Sequence, residues 1–182
     1  EDEVTRRAFA RKLRMIAGVP VITRRSRVPS GDSVQTETRA TLPPGRALAP
    51  QLLCVGASTG GPPALLTLFS AFSSPPTCPV LLVQHMAPGF IEGMARWLAE
   101  ATKLPFRMAE DGAHLAPGTV YVAPDDRHLT LRGNRVALVD GPQLAGHRPS
   151  VDALFESVAI SAHGSTSLAV LLTGMGSDGA RG

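Results

Sequence analysis

From position 51 onward, apolar residues fall into short runs whose period alternates between two kinds. Positions 52–56 form an apolar run of strand length. Positions 62–72 follow with helical spacing, their prolines confined to the first turn, where a missing N–H is tolerated. A second apolar strand covers 79–84. The segment 89–102 is amphipathic, with Ile91, Met94, Ala95, Leu98 and Ala101 on one helical face. A third strand fits 106–109. The period then becomes two over 120–123, 128–131 and 136–139, and Arg132-Gly133-Asn134-Arg135 between the last two is a hairpin signal. Helical spacing returns over 151–162, and 168–172 reads as a continuous apolar strand of the kind buried in a parallel sheet. Strand alternating with helix predicts the α/β class: a doubly wound, mostly parallel open sheet, Rossmann-like, with right-handed crossovers and an inserted antiparallel β-hairpin.

The first 50 residues differ. Residues 1–17 read as a helix, with Val4, Ala8, Phe9, Leu13 and Ile16 set among Arg6, Arg7, Arg11, Lys12 and Arg14. A docking or connecting helix and a merely solvated basic face fit this pattern equally. Residues 18–50 have no lasting period and carry turn formers such as Val28-Pro29-Ser30-Gly31-Asp32-Ser33, the composition of a linker. The organisation predicted is a helical tether over 1–50 and one domain over 51–182. The chain opens Glu1-Asp2-Glu3 without a methionine, as a piece of a longer polypeptide would.

Composition narrows the function. The chain of 182 residues is 43% apolar and 18% charged, a globular balance. Its net charge of +3 is uneven. Positions 1–50 hold ten Lys/Arg against five Asp/Glu, and positions 51–182 hold eight against ten. The domain therefore lacks the basic footprint of a nucleic-acid binder, and at 4% aromatic residues it has few rings for stacking bases. No apolar run reaches the length of a membrane span. Cys54 and Cys78 lie in strand-like apolar runs and read as buried reduced thiols. His114, His128, His147 and His163 have no partner at metal-ligand spacing, so no metal and no cofactor is expected.

In an open α/β sheet the ligand site lies beyond the carboxyl ends of the strands. The strands ending near 56, 84 and 172 should deliver three loops to one crevice. The first, Gly56-Ala57-Ser58-Thr59-Gly60-Gly61, matches G-x-S-x-G between strand and helix, a turn that exposes a serine hydroxyl. The helix after it is expected to present free N–H groups and a positive dipole end to developing negative charge. A phosphate cradle is the competing reading, although the dinucleotide fingerprint fails on spacing and no P-loop lysine follows. The second loop carries His85, a base able to take and return a serine proton; alone it would read as a surface-polar histidine. The third, Thr173-Gly174-Met175-Gly176-Ser177-Asp178-Gly179, carries Asp178, which can orient an imidazole or simply satisfy turn amides. Coincidence at three strand ends favours a Ser–His–Asp site, and the chain order Ser, His, Asp is not that of ordinary α/β-hydrolases.

Four segments in this order, Val55 to Gly61, Val83-Gln84-His85-Met86, His147-Arg148-Pro149-Ser150-Val151-Asp152 and Leu172 to Ala180, resemble the chemotaxis protein-glutamate methylesterases (CheB) over about residues 50–182. The resemblance implies a serine hydrolase acting on methylated glutamates of the cytoplasmic helices of chemoreceptors, releasing methanol and also deamidating glutamines; a cytoplasmic monomer is expected. By position, Ser58 would be the nucleophile, His85 the general base and acid, and Asp178 the orienting carboxylate. The backbone N–H of Met175, with Thr59 and Gly60, would hold the oxyanion and place the substrate, while Arg148, Pro149 and Ser150 would line the approach. The segment before residue 50 is similar to the tether that follows a phospho-receiver domain in that family. Members continue beyond the equivalent of Gly182 with a helix and at least one more strand, so the domain reads as cut short. Two alternatives stay open: an esterase of this fold acting on a signalling protein outside chemotaxis, and a truncated, non-catalytic interaction module.

Overall fold

A computed structural model describes residues 49–174 and 176–182. The helix expected over 1–17 and most of the linker lie outside the described residues. The elements run β1 (Leu52–Ala57), α1 (Gly61–Ser70), β2 (Val80–Gln84), α2 (Ile91–Thr102), β3 (Phe106–Met108), β4 (Val120–Val122), β5 (His128–Arg132), β6 (Arg135–Val139), α3 (Val151–Ala159) and β7 (Ser167–Leu171), with a 3₁₀ turn at Gly164–Thr166 before β7.

Five strands form one parallel sheet in the order β3-β4-β2-β1-β7. The apolar runs of β1 and β2 are buried on both faces, and successive residues feed two separate cores. Leu53, Val55, Leu82 and Val80 pack with Leu65 and Phe69 of α1 and Ile91, Met94 and Leu98 of α2. Leu52, Cys54, Leu81 and Val83 pack on the opposite face with Leu154, Phe155 and Val158 of α3 and with Leu129, Leu131 and Val136 of the hairpin. Alternation within an unbroken apolar run is what a doubly covered sheet requires. The hairpin β5–β6 stays out of the main sheet as a two-stranded ribbon, turning at Gly133-Asn134. Cys54 and Cys78 are buried free thiols, and burial, with Cys78 nearby, pushes Cys54 up to about 12.

Two expectations are corrected. Helix α3 ends at Ala159 rather than 162, because Ile160 closes it and the chain passes through Ser161 into the 3₁₀ turn. Among the described residues β7 is apolar but not buried: its one strand partner is β1, and Leu168 and Leu171 are about half exposed. Among the described residues nothing covers its outer edge. None of the described helices is long and apolar enough to cross a membrane.

Because β1 lies between β2 and β7, the segments leaving Ala57, Gln84 and Leu171 emerge side by side at the carboxyl edge of the sheet. The N-terminus of α3 reaches the same edge from the opposite face, where Val151 shares a cavity with Ser58 and His85.

Candidate active site

The chain reverses sharply after β1. The Ser58 N–H donates to the Thr173 carbonyl at 2.8 Å, and the Ser58 carbonyl accepts from the Gly61 N–H at 2.7 Å. Gly60, at φ 78°, is the N-cap of α1. Buried Gln84 braces this turn from the neighbouring strand. Its Nε2 donates to the carbonyls of Ser58 at 2.9 Å and His85 at 2.7 Å, tying together the two loops that carry those side chains. Residue 61 must be glycine for this, since a Cβ there would lie 1.8 Å from Gln84 Oε1.

The expected free amides at the start of α1 are not there. Gly61 N–H is spent on Ser58, Pro62 and Pro63 have no N–H, and Ala64 N–H is directed at the Gly60 carbonyl. The prolines that mark the helix start in the sequence are the reason: they shape the turn and remove its donors. What α1 offers the site is the field of its positive end.

Asp178 is seated differently. Its side chain is 2% exposed, and it lies at the N-terminus of α3. Oδ1 accepts from the Ser150 hydroxyl at 2.6 Å and the Asp152 N–H at 3.0 Å, and Oδ2 accepts from the Val151 N–H at 2.7 Å. Burial pushes the carboxyl up. The His85 contact, the Ser150 hydroxyl and the two helix amides outweigh it and hold Asp178 well below the usual carboxylate range. A reciprocal bond fixes the loop: buried Asp152 Oδ1 accepts from the N–H groups of Gly179, Arg181 and Gly182 at 2.9–3.0 Å. Two carboxylates thus lock α3 and the 178–182 loop together.

His85 Nε2 lies 2.8 Å from Asp178 Oδ2. The oxygen sits off the N–H axis, so this is a close contact of the carboxylate with the ring rather than a straight hydrogen bond, and Nδ1 is buried with no partner among the described residues. Ser58, His85 and Asp178 line one cavity of about 80 Å³ with Ala57, Val151 and Gly174. The hydroxyl of Ser58 and the imidazole are not hydrogen-bonded to each other here, as is common before substrate aligns such a pair.

The remaining expected residues are placed as follows. Thr59 and Gly60 are exposed and do not line the cavity that holds Ser58, and Met175 lies outside the described residues. Arg148 and Pro149 line a second, adjoining cavity of about 340 Å³ with Gln143, His147, Asp125 and Asp126. The Arg148 guanidinium is committed to Asp126 and to the Gly141 carbonyl. Ser150 does not face any approach: it is fully buried, caps α3 through the Ala153 N–H, and serves Asp178.

Four residues that the sequence reading names without giving them a role in the site take one in the structure: Gln84, Asp152, His128 and His147. Gln84 and Asp152 act on backbone groups 26 to 30 positions away, which no local pattern reveals. Buried His128 accepts the Ser150 N–H on Nδ1 at 3.2 Å, with Nε2 2.9 Å from the Pro142 carbonyl. His147 stacks flat on His85, with ring centroids 3.7 Å apart and planes 5° from parallel.

Comparison with known proteins agrees with this architecture. The family model described as CheB methylesterase matches residues 53–182. A protein-glutamate methylesterase/protein-glutamine glutaminase of Myxococcus xanthus is 51% identical over 134 residues, which cover 73% of this chain and 38% of the relative. Another of the same description, from Geobacter metallireducens, is 43% identical over 96% of this chain and 50% of its own length. The chain thus spans half or less of these curated relatives. The crystal structure of the Thermotoga maritima CheB methylesterase catalytic domain superposes with a TM-score of 0.68 at 35% identity, covering 74% of this chain and 72% of that one. With its parallel sheet, its strand-end serine and histidine and a family match that spans residues 53–182, this chain belongs to the CheB methylesterase family.

Proposed function

We propose that this domain hydrolyses glutamate methyl esters on the cytoplasmic helices of chemoreceptors, releasing methanol, and deamidates glutamines at the same site. The observation that carries the reading is the seat of Asp178: a buried carboxylate, held ionised by helix amides, 2.8 Å from a histidine that shares a cavity with Ser58. In this mechanism the Ser58 hydroxyl attacks the ester carbonyl and its proton passes to His85. Nε2 faces Asp178, which leaves Nδ1 as the nitrogen for the serine proton. Asp178 stays ionised and stabilises the imidazolium. The tetrahedral oxyanion is held by backbone N–H groups of the 59–60 turn and of Met175, within the field of α1. Its collapse expels methanol, which takes the proton from His85. Water then attacks the acyl-enzyme, giving its proton to His85, and the serine is regained with release of the glutamate carboxylate.

A cavity of about 80 Å³ suits a side-chain tip presented on a protein surface rather than a whole small molecule. The domain works in the cytoplasm as a monomer without a cofactor, following a receiver domain in the longer protein. Methanol release from a methylated receptor tests the reading. Ser58→Ala should lower it by about 10⁴-fold or more, as removal of a triad nucleophile does. Release at the unmodified rate would overturn it.

A further inference from the structure

His147 enters the site on a segment anchored from both sides. Leu144 and His147 exchange both backbone hydrogen bonds, at 3.0 and 2.8 Å, around Ala145 at φ 47° and Gly146 at φ 82°. That is a tight two-residue turn of the primed kind, whose end residue has a fixed direction. Before it, His128 holds the Pro142 carbonyl. After it, Arg148 holds Gly141 and Asp126, and His128 takes the Ser150 N–H. The outcome of this bracing is one ring laid flat on the face of His85.

His85 needs such a constraint. An imidazole turns about two side-chain torsions, and the Asp178 contact lies off its N–H axis, so the carboxylate alone does not set the ring plane. A parallel ring at 3.7 Å does. We infer that His147 is a positioning residue for His85: its uncharged ring fixes the plane that directs one nitrogen to Asp178 and the other to Ser58, and a proton on it opposes the imidazolium that His85 must form. The inference rests on the proposed role of His85.

The charges around His147 fit. Burial lowers its pKa, the facing His85 lowers it further, and Asp178 partly offsets both. On the side of the adjoining cavity, Asp126 is paired with Arg148, and Asp125 Oδ2 accepts the Gly89 N–H. At neutral pH the stacked ring is uncharged, and acid brings a second positive charge onto the face of the base.

The test replaces His147 with Phe, Ala and Arg and follows kcat and KM for methanol release from methylated receptor between about pH 5 and 8. Phe keeps a flat neutral ring. It should hold kcat within about twofold of wild type and make the acid limb shallower, because one ionisation is gone. Ala loses the ring contact and should lower kcat about two- to tenfold with little change in KM. Arg keeps a flat group but adds a permanent charge, and should lower kcat about tenfold beyond Ala. Independently of activity, the His147 ring followed by NMR should titrate at higher pH in His85→Phe than in wild type. Equal impairment in all three variants, no impairment in Ala and Arg, or a His147 titration indifferent to the loss of His85 would overturn the inference. Methanol release that survives Ser58→Ala would instead overturn the proposed function, and the NMR coupling would still report on the stack.

Discussion

Helix α1, beside Ser58, begins at a glycine cap with no side-chain hydrogen bond and no acidic residue in its first turn. Helix α3, on the opposite face of the same sheet edge, begins at a serine cap, carries Asp152 in its first turn and has Asp178 seated on its amides. Both ends carry the same partial positive charge. At α3 it is matched by permanent negative charge, and the product is a rigid, ionised carboxylate. At α1 the first-turn donors from Gly61 to Ala64 are absent or spent, and from those positions only the field of the helix end reaches the cavity. A helix N-terminus holds a standing anion through its free amides, and prolines in the first turn withdraw that capacity while leaving the dipole.

The sharpest way to break this contrast is to remove the charge at α3. Asp178→Asn keeps the shape but loses the anion facing His85, and kcat should fall by about 10³- to 10⁴-fold. A variant retaining most of its rate would mean that the carboxylate only braces the loop.

Acid probes the same seat without mutation. Asp178 is depressed in the folded state, so its contribution to stability is fully present above the ordinary carboxylate range, about pH 4, and is lost as pH falls through and below it. Denaturant unfolding from about pH 5 downward should show this loss in the wild type and a weaker one in Asp178→Asn. Identical pH slopes for the two proteins would show that the carboxylate is not stabilised by folding.

Ser150→Ala gives the smallest expected effect. It removes both the cap of α3 and one of the donors to Asp178, and should cost about 1 kcal/mol of stability in a denaturant melt. The remaining amides should keep Asp178 ionised, so the rate should fall far less than in Asp178→Asn. A loss as large as that of Asp178→Asn would place the hydroxyl, rather than the helix amides, as the main support of the carboxylate.

Little of this site is readable one residue at a time: Ser58 alone also fits a phosphate cradle, and His85 alone a surface-polar histidine. Ser58 and His85 stand at the ends of apolar runs, and an α/β alternation sends strand ends to a common edge, so their meeting followed from pattern alone. The free amides expected at α1 are missing because the same prolines that signal a helix start also delete its donors. Among the described residues the apolar run of β7 is half exposed, since a run reports the composition of a strand and not its neighbours.

Chain pattern was enough to settle the α/β alternation, the presence of an antiparallel hairpin and the serine and histidine at strand ends, because a period of two or near four within a dozen residues is local, whereas the hairpin's place outside the main sheet belongs to the fold. The three-dimensional fold alone decided that Asp178 sits on the amides of α3, that Asp152 holds the loop in return, that Gln84 spans two loops and that His147 lies on His85. Each of these joins groups from separate elements through backbone donors and ring faces, and a backbone amide has no side-chain signature to read. Direction and distance between elements, not residue type, make those contacts.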